Sequence, residues 1–431
     1  MERKPGYHTI TYRFRLYCEH KDWLVETRQI YNQVLSFYYG VLQKEPEVAQ
    51  ISSKQKLLRQ LELLTVGARG QEKGTVEHPL PYEKVPLYFR RAAANDAIRI
   101  YRSYMARQEI SARYMENKKE HGRENPAIKP QDGIFQASPI FYKGMYKDFT
   151  EFSISLKLWN GEKWVWEKCE LDTCRRKFPE AAQMLSPVLK LNGSRAMLHV
   201  PVREEVEDVR TVKERLLGEE VICAAAFPNN DCLAVLAVMD KEGKCMESLF
   251  IRGGKQFAHE KKKLLNRIRK NRASMGADSF GRELPEDENK YLKEKIRNLS
   301  EDYAHKVSRQ IVEFCESRNI GILVVPNYHQ TIHLNQMGYL PATSYDWIGR
   351  RIIQYLRYKA FGKGIMVTSV STKGIAGTCH VCGEPVQRFN KNNKPSRNYY
   401  GGKNYICPNG HKGNAGLNSA MNVGKHFLSG S

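Results

Sequence analysis

Apolar residues alternate with polar residues at the start of the chain and then recur with a helical period. Residues 7–18 alternate almost strictly, so their apolar side chains share one face, which predicts a half-buried strand. Residues 22–43 place apolar side chains at intervals close to 3.6, which predicts an amphipathic helix. Residues 51–64 and 86–115 predict two more helices. The chain therefore begins with one strand followed by a helical region.

Two later segments return to the two-residue period of strands, and each contains an Asn-Gly pair. Residues 151–171 carry Asn160-Gly161 between alternating apolar runs, and residues 188–202 carry Asn192-Gly193. Asn-Gly accommodates the positive φ angles of a two-residue turn, so each segment predicts a β-hairpin. A strand, an inserted helical region and further strands together predict a small β-barrel interrupted by helices. We assign residues 1–20 and 132–205 to this barrel, 21–131 to the helical insertion, and 206–219 to a linker helix.

The C-terminal half predicts a different sheet. Three successive apolar segments at residues 220–230, 231–240 and 245–254 are separated by short turns and predict neighbouring strands. Two helices follow, and residues 320–327 then predict a strand buried on both faces. A helix at 344–364 and a strand at 365–370 complete the region. The order predicts an α+β multidomain protein whose C-terminal part is an RNase H-like α/β domain.

The charge balance favours a polyanionic partner. The 431 residues contain 69 lysines and arginines against 47 acids, a formal net charge of +22. Neutralising phosphates releases their counterions, so an excess of this size points to nucleic acid. A basic protein without that role is the alternative. No apolar run is long enough to span a bilayer, and the first residues lack a secretory apolar core. We expect a cytoplasmic bacterial protein, nucleoid-associated when bound to DNA.

The positive charge is concentrated in helical segments. In residues 86–115, arginines are interleaved with tyrosines, which is typical either of a phosphate-tracking surface or of a solvated face behind a packed stripe. Residues 261–272 hold seven cationic side chains and no acid. The residues expected to contact nucleic acid are Arg90, Arg91, Arg99, Arg102, Lys261, Lys262, Lys263, Arg267, Arg269, Lys270, Arg272, Arg350, Arg351 and Arg357.

Four residues near the C-terminus have the spacing of a structural zinc site. Cys379 and Cys382 form one Cys-x-x-Cys knuckle, and Cys407 and His411 follow a polar loop that has almost no apolar residues to form a core. Three thiolates and an imidazole match a closed tetrahedral site, and the metal would hold the loop together. The second knuckle is irregular because position 410 is glycine. His380 is therefore an alternative to His411.

The C-terminal half carries motifs of a known family. The segments YAHKVSRQIV (303–312), WIGRRIIQYLRYKA (347–360), CHVCG (379–383) and NSAMNV (418–423) resemble the miniature type V-F CRISPR-Cas effectors and their TnpB transposon relatives. The N-terminal half resembles them by the arrangement of its elements. The resemblance implies an RNA-guided DNA endonuclease fold with these parts: a wedge barrel, a helical recognition domain, a RuvC-like domain at 220–373 and 413–431, and a zinc ribbon at 374–412.

The same resemblance exposes a difference at the expected catalytic positions. In the family, three carboxylates form the RuvC site, and they correspond here to Ala225, Pro326 and Gly416. A shift of one residue at the first position reaches only another alanine. Two-metal phosphodiester cleavage needs clustered carboxylates to bind its Mg²⁺ ions. Asp231 is near in sequence, but we expect it to start the next strand and point elsewhere.

These features predict an RNA-guided, sequence-specific DNA-binding protein that does not cleave. Its expected partners are a guide RNA and double-stranded DNA with a short flanking motif, and its expected cofactor is structural zinc, with no Mg²⁺ at the RuvC site. Occupying DNA without cutting it predicts a role in transcriptional regulation, by repression or by recruiting the transcription machinery. The resemblance also suggests a homodimer on one guide.

Two other functions are compatible with the sequence. An active Mg²⁺-dependent endonuclease with relocated carboxylates would cleave guide-matched DNA, and substitution of Asp231 would abolish the cleavage. A guide-independent scaffold that recruits a protein partner would bind DNA equally well with and without RNA.

Overall fold

The chain folds into two compact units. The computed structural model describes residues 6–67, 76–82, 84–118, 135–173, 178, 183–193, 195–218, 221–228, 231–274, 289–328, 348–390, 393–396 and 402–430. One unit comprises residues 9–204, and the other comprises residues 1–8 and 205–431. None of the described helices combines the length and the apolarity that crossing a membrane requires.

The first sheet is a half-barrel. Its strands are β1 (Gly6–Tyr17), β2 (Tyr146–Lys147), β3 (Ser153–Trp159), β4 (Trp164–Asp172), β5 (Gln183–Met184), β6 (Val188–Asn192) and β7 (Arg195–Val206). Their order is β2-β3-β4-β1-β7-β5, and β6 also pairs with β7. The sequence predicted a barrel, but among the described strands no pairing joins the two edges. Both edge strands are only two residues long, which leaves few backbone groups for closure.

Helices are inserted between β1 and β2, as the sequence predicted. They are α1 (Lys21–Lys44), α2 (Pro46–Gln50), α3 (Lys54–Thr65) and α4 (Leu87–Lys118). Tyr31, Tyr38 and Phe89 are fully buried where α1 packs on α4. The hydroxyl of Tyr31 donates a 2.9 Å hydrogen bond to the buried Asp96, which satisfies both polar groups. Aromatic side chains thus form much of this core.

Both predicted hairpins are present, but their turns differ from the predicted two-residue Asn-Gly turn. Trp159 pairs with Trp164, so the first loop has four residues, and the Asn160 side chain accepts hydrogen bonds from two of their backbone amides. In the second hairpin Asn192 pairs with Arg195. Asn192 is therefore the last strand residue, and Gly193 begins the turn. Side-chain hydrogen bonding by Asn160 explains the longer loop.

The second sheet has the mixed topology expected of an RNase H-like domain. Its strands are β8 (Ile222–Ala226), β9 (Cys232–Met239), β10 (Cys245–Arg252), β11 (Ile322–Asn327) and β12 (Met366–Ser371), in the order β10-β9-β8-β11-β12. The first three pair antiparallel, and β11 runs parallel to both β8 and β12. Every residue of β8 is buried, which explains its uniformly apolar sequence.

Helices cover both faces of this sheet. They are α5 (Val212–Leu217), α6 (Gly254–Ser274), α7 (Lys290–Glu316), α8 (Gly349–Phe361) and α9 (Ala415–Leu428). One apolar cluster joins α7 and α8 to the sheet, and a separate cluster joins α9 to the opposite face. Residues 287–288 and 344–347, which the sequence assigned to α7 and α8, lie outside the described residues.

The predicted linker helix is helical only in its second half. Strand β7 continues to Val206, and the helical part is confined to α5, which begins at a capping box formed by Thr211 and Glu214. Arg215 is fully buried and donates a 2.6 Å hydrogen bond to the carbonyl of Gly364. This segment is therefore a docked part of the second unit.

A small sheet follows β12. Its strands are β13 (Gln387–Asn390), β14 (Asn393–Ser396), β15 (Asn404–Ile406) and β16 (Lys412–Asn414), all antiparallel, in the order β14-β13-β15-β16. Its buried cluster consists of Cys379, Tyr405, Cys407 and Ala415. So small an apolar core supports the prediction that a metal ion stabilises it.

Close packing of α9 on the sheet can be measured with two matched glycine substitutions. A Cβ at Gly424 would lie 2.2 Å from the sulfur of the buried Met239, whereas a Cβ at Gly40 in α1 meets nothing within 4 Å. Both alanine variants gain the same helix propensity. We expect Gly424→Ala to be less stable than Gly40→Ala by about 1–3 kcal/mol, measured as free energies of unfolding in urea. Equal free energies would contradict the close packing.

Candidate functional site

The expected catalytic positions lie at one end of the second sheet. Strands β8 and β11 are parallel neighbours in which Ala224 pairs with Val324, so their carboxyl ends reach the same edge. Pro326 is buried near the end of β11 and pairs with Val370 of β12. Gly416 is buried in the first turn of α9. Catalytic groups of α/β sheets commonly lie at such an edge.

The side chain of Ala225 points away from this edge site. Ala225 belongs to the apolar cluster on the α7 and α8 face, whereas Ala224 and Ala226 belong to the cluster with α9. Successive strand residues alternate between faces, so Ala224 and Ala226 share a face with α9 and Ala225 does not. Each of the three residues that could occupy the first expected position is alanine.

The space beside Gly416 is already filled. A Cβ there would lie 2.9 Å from Val235 Cγ2 and 3.3 Å from Pro228 Cγ. Asn414 is the N-cap of α9, and its side-chain oxygen accepts hydrogen bonds of 2.8 Å and 3.1 Å from the amides of Gly416 and Leu417. Asn414 thus caps the helix, which explains why an amide side chain stands there.

Asp231 lies closer to this edge than the sequence suggested. It immediately precedes β9 and lines a cavity with Pro228, Val235 and Asn414, whereas we expected it to point elsewhere. The Lys403 ammonium forms an ion pair with its carboxylate, and Lys255 Nζ is 3.5 Å from Oδ2. The hydrogen bond from Lys403 holds the pKa of Asp231 below its ordinary value. The carboxylate is therefore ionised and neutralised by lysine.

The described residues provide no carboxylate cluster at the edge. Three groups of His, Cys, Asp and Glu side chains could hold a metal ion among these residues, and none includes Asp231 or a residue next to the three expected positions. One of the three contains Cys379, Cys382, Cys407 and His411. The metal-binding chemistry of the second unit is thus found in the small sheet.

The three cysteines and the histidine have the spacing of tetrahedral ligands. Their ligand atoms all lie within 4.8 Å of one another. Thiolates about 2.3 Å from a tetrahedral zinc ion are roughly 3.8 Å apart, and the sulfurs of Cys382 and Cys407 are 3.7 Å apart. A backbone hydrogen bond from Glu384 lowers the pKa of Cys382 to about 6, which favours the thiolate that binds metal. These residues could hold a zinc ion.

The irregular second knuckle is explained by a glycine turn. Gly410 has a φ angle of +80° and donates a hydrogen bond to the carbonyl of Cys407, so the chain turns before His411. His411 Nδ1 lies 3.3 Å from the Cys407 sulfur. His380, the alternative ligand, instead contacts the side-chain oxygen of Asn418 at 3.0 Å and the Tyr405 hydroxyl at 3.2 Å. The geometry therefore selects His411.

Polar residues of α9 hold the first knuckle, a feature that sequence reasoning missed. Asn418 accepts a 2.9 Å hydrogen bond from the amide of His380 and donates one of 2.7 Å to the carbonyl of Thr378. Asn422 donates to the same carbonyl at 2.9 Å, and Lys425 donates to the carbonyl of His380 at 2.6 Å. We call Asn418, Asn422 and Lys425 the clasp. The two asparagines of NSAMNV (418–423), four residues apart on one helix face, were the available signal.

The predicted basic residues of α4 are engaged within their own unit. Arg90 and Arg91 both bind Glu62, at 3.2 Å and 2.8 Å, and Arg90 has only 14% of its side chain exposed. Arg99 pairs with Asp96, and Arg102 donates to the carbonyl of Ile51. These contacts favour a structural role for Arg90 and Arg91. The exposed Arg99 stays a better candidate for phosphate binding.

The basic residues of the second unit are more accessible. Among the predicted residues of α6, those that are exposed are Lys262, Lys263, Arg267, Arg269, Lys270 and Arg272. Lys261 is half-buried, with its ammonium 5.9 Å from the centre of the Phe257 ring. In α8, Arg351 lies 3.5 Å from Glu301, while Arg350 and Arg357 line a cavity beside Pro326. Exposed cations thus cover α6 and also reach the sheet edge.

Comparison with known proteins finds similarity in both parts of the chain. Residues 350–423 match the Cas12f1-like TNB domain family, and residues 8–160 match the Aq_aa04 family. A Cas12f1–sgRNA–target DNA complex aligns at 16% identity and a TM-score of 0.51, covering 93% of this chain and 81% of that chain. An AacC2c1–sgRNA–extended non-target DNA complex aligns at 10% identity and 0.50, covering 95% and 70%. No curated protein sequence matches the chain.

The ligand assignment predicts which histidine the metal needs. We expect the purified protein to contain one zinc ion, and we expect Cys407→Ser and His411→Ala to lose it because the tetrahedral set is broken. His380→Ala should retain zinc because His380 contacts Asn418 and Tyr405. Elemental analysis of the purified variants measures this. Zinc loss in His380→Ala with retention in His411→Ala would reverse the assignment.

The clasp predicts that α9 stabilises the knuckle. Asn418 is buried, so Asn418→Ala leaves the amide of His380 without its partner and removes one of the two amide hydrogen bonds to the carbonyl of Thr378, at a cost of about 1–3 kcal/mol. We expect faster amide hydrogen exchange at residues 378–390 and 402–411. Asn266→Ala, an exposed substitution on α6, is the control and should leave exchange unchanged. Unchanged exchange in Asn418→Ala would contradict a stabilising clasp.

Proposed function

We propose that this protein, a relative of the miniature type V CRISPR-Cas effectors and TnpB proteins, is directed by a guide RNA to DNA and occupies it without cleavage. Guide pairing would read the target sequence, and the half-barrel with its helical insertion would grip RNA and a short flanking DNA motif. The output would be transcriptional regulation, because bound protein can block or recruit other proteins.

One observation carries the proposal: apolar residues occupy the edge where a RuvC nuclease needs acids. The side chains of Ala225, Pro326 and Gly416 offer no metal ligand, and the neighbours of Ala225 on the α9 face, Ala224 and Ala226, offer none either. A two-metal site binds two doubly charged cations, so it needs several anionic ligands. The nearby Asp231 is a single carboxylate whose charge Lys403 and Lys255 already neutralise.

Packing also opposes a hidden metal site at Gly416. A Cβ at Gly416 would be crowded by Val235 Cγ2 at 2.9 Å, and the Asn414 side chain is committed to the helix N-terminus. The remaining features support binding. A polyanionic partner would suit the +22 net charge, the exposed cations of α6 and the predicted zinc ribbon at 374–412.

The proposal predicts guide-dependent binding without cutting. The full chain would be expressed in bacterial cells, the co-purifying RNA sequenced, and the occupied DNA mapped. We expect a structured RNA whose variable 3′ segment matches the occupied sites. With that RNA, matched DNA should bind roughly 10³-fold more tightly than unmatched DNA and stay intact in Mg²⁺. A guide with a scrambled variable segment is the control.

Two outcomes would contradict the proposal, each in favour of one alternative. Mg²⁺-dependent cleavage of guide-matched DNA that Asp231→Ala abolishes would establish an active nuclease with a relocated acid. Equal DNA affinity with and without the co-purifying RNA would establish a guide-independent scaffold.

A further inference from the structure

We propose that the sheet edge binds a phosphodiester group of a nucleic-acid strand directly through cationic side chains. This inference rests on the proposed function, because it takes the partner to be nucleic acid. In a metal-dependent nuclease, carboxylates at this edge bind cations, and the cations bind phosphate. Here the protein itself would supply the positive charge. The edge would thereby hold a strand at the place where a nuclease would cut it.

The first observation is a cavity at the amino end of α9. Its volume is about 380 Å³, which is in the range of small-ligand sites, and it lies beside Pro228, Val235 and Asn414. Val235, Asn414 and Pro228 are the residues nearest to a Cβ placed at Gly416. The cavity therefore adjoins the third expected catalytic position.

The second observation is the charge of the cavity. Arg252 and Lys403 line it, Lys255 approaches its Asp231, and Asp231 is its single acid. Three cations against one carboxylate leave an excess of positive charge. Because α9 begins here, the partial positive charge of its N-terminus adds to that excess. The potential attracts an anion and repels Mg²⁺, the reverse of a nuclease site.

Two hydrogen bonds of its backbone fix the position of Lys403. Its amide donates a 2.9 Å hydrogen bond to the side-chain oxygen of Asn390, and its carbonyl accepts a 2.7 Å hydrogen bond from the amide of Ala415. The Lys403 side chain is 41% exposed, although its ammonium pairs with Asp231. A phosphate can therefore replace Asp231 as its partner without moving the backbone. Asp231 would hold the lysine in place and weaken its binding to the phosphate.

A second cationic cavity lies at the same edge beside Pro326. It has a volume of about 280 Å³ and is lined by Arg350 and Arg357 together with Asn327 and Tyr328. Arg350 donates a 3.4 Å hydrogen bond to the carbonyl of Tyr328, and Arg357 is exposed. Two of the three expected catalytic positions are thus adjoined by cations.

The test measures how salt affects binding of the full chain to labelled 20-nucleotide single strands of unrelated sequence, one DNA and one RNA. We expect Lys403→Ala and Arg252→Ala each to reduce the slope of log K against log salt by about 0.7, the value for one lost phosphate contact. Lys373→Ala, an exposed lysine outside both cavities, is the matched control and should keep the slope. A reduced slope with DNA alone, RNA alone or both supports the proposal and identifies the strand.

For Asp231→Asn we expect the opposite change, an increase in affinity for the single strands. Removing the competing carboxylate should tighten binding roughly two- to fivefold. Weaker binding in this variant, or a slope for both Lys403→Ala and Arg252→Ala equal to that of Lys373→Ala, would overturn the proposal. Zinc content and circular dichroism identify folded variants. Guide-matched occupancy is measured separately, so loss of guide dependence with an intact salt effect would refute the proposed function alone.

Discussion

The contact between α9 and the alanine-rich strand β8 is the constraint on which the second unit depends. Gly424 lets the helix approach Met239 and Ala224 closely, and that approach fixes the position of the helix N-terminus beside Pro228 and Val235. The same helix carries Asn418 and Asn422, which hold the first knuckle. One packed helix therefore positions both the sheet edge and the zinc ribbon.

The polarity of the sheet edge follows from simple electrostatics. Several carboxylates brought together without metal repel one another and lose hydration. Alanine, proline and glycine bury at this edge without that penalty. The ammonium of Lys403 pairs with Asp231, and Arg350 lines the cavity beside Pro326.

Periodicity predicted the helices and strands of the fold, but it did not predict which face of the sheet each strand residue occupies. The alternation in β1 and the buried runs of β8 and β11 identified strands because burial acts on each residue locally. Whether Ala225 or Ala226 faces α9 depends on tertiary packing, and a one-residue error reverses the face. The hairpin turns differed for a similar reason, since the side chain of Asn160 bonds to its own loop. Closure of the half-barrel depends on distant edge strands that the local pattern does not specify.

The candidate site was likewise predictable from the sequence only in part. Cysteine spacing identified three ligands, and His411 was ranked over His380 by the knuckle pattern. The choice became clear only with the φ angle of Gly410 and the bond from His380 to Asn418. The sequence did not predict that Asp231 lines a cavity with Lys403 and Asn414, because these two residues are distant from it in sequence. Asn418 and Asn422 of the clasp bond to backbone groups at the first knuckle, and these hydrogen bonds need neither acids nor Mg²⁺. The clasp therefore holds the small sheet on α9 without any side chain from the three expected catalytic positions.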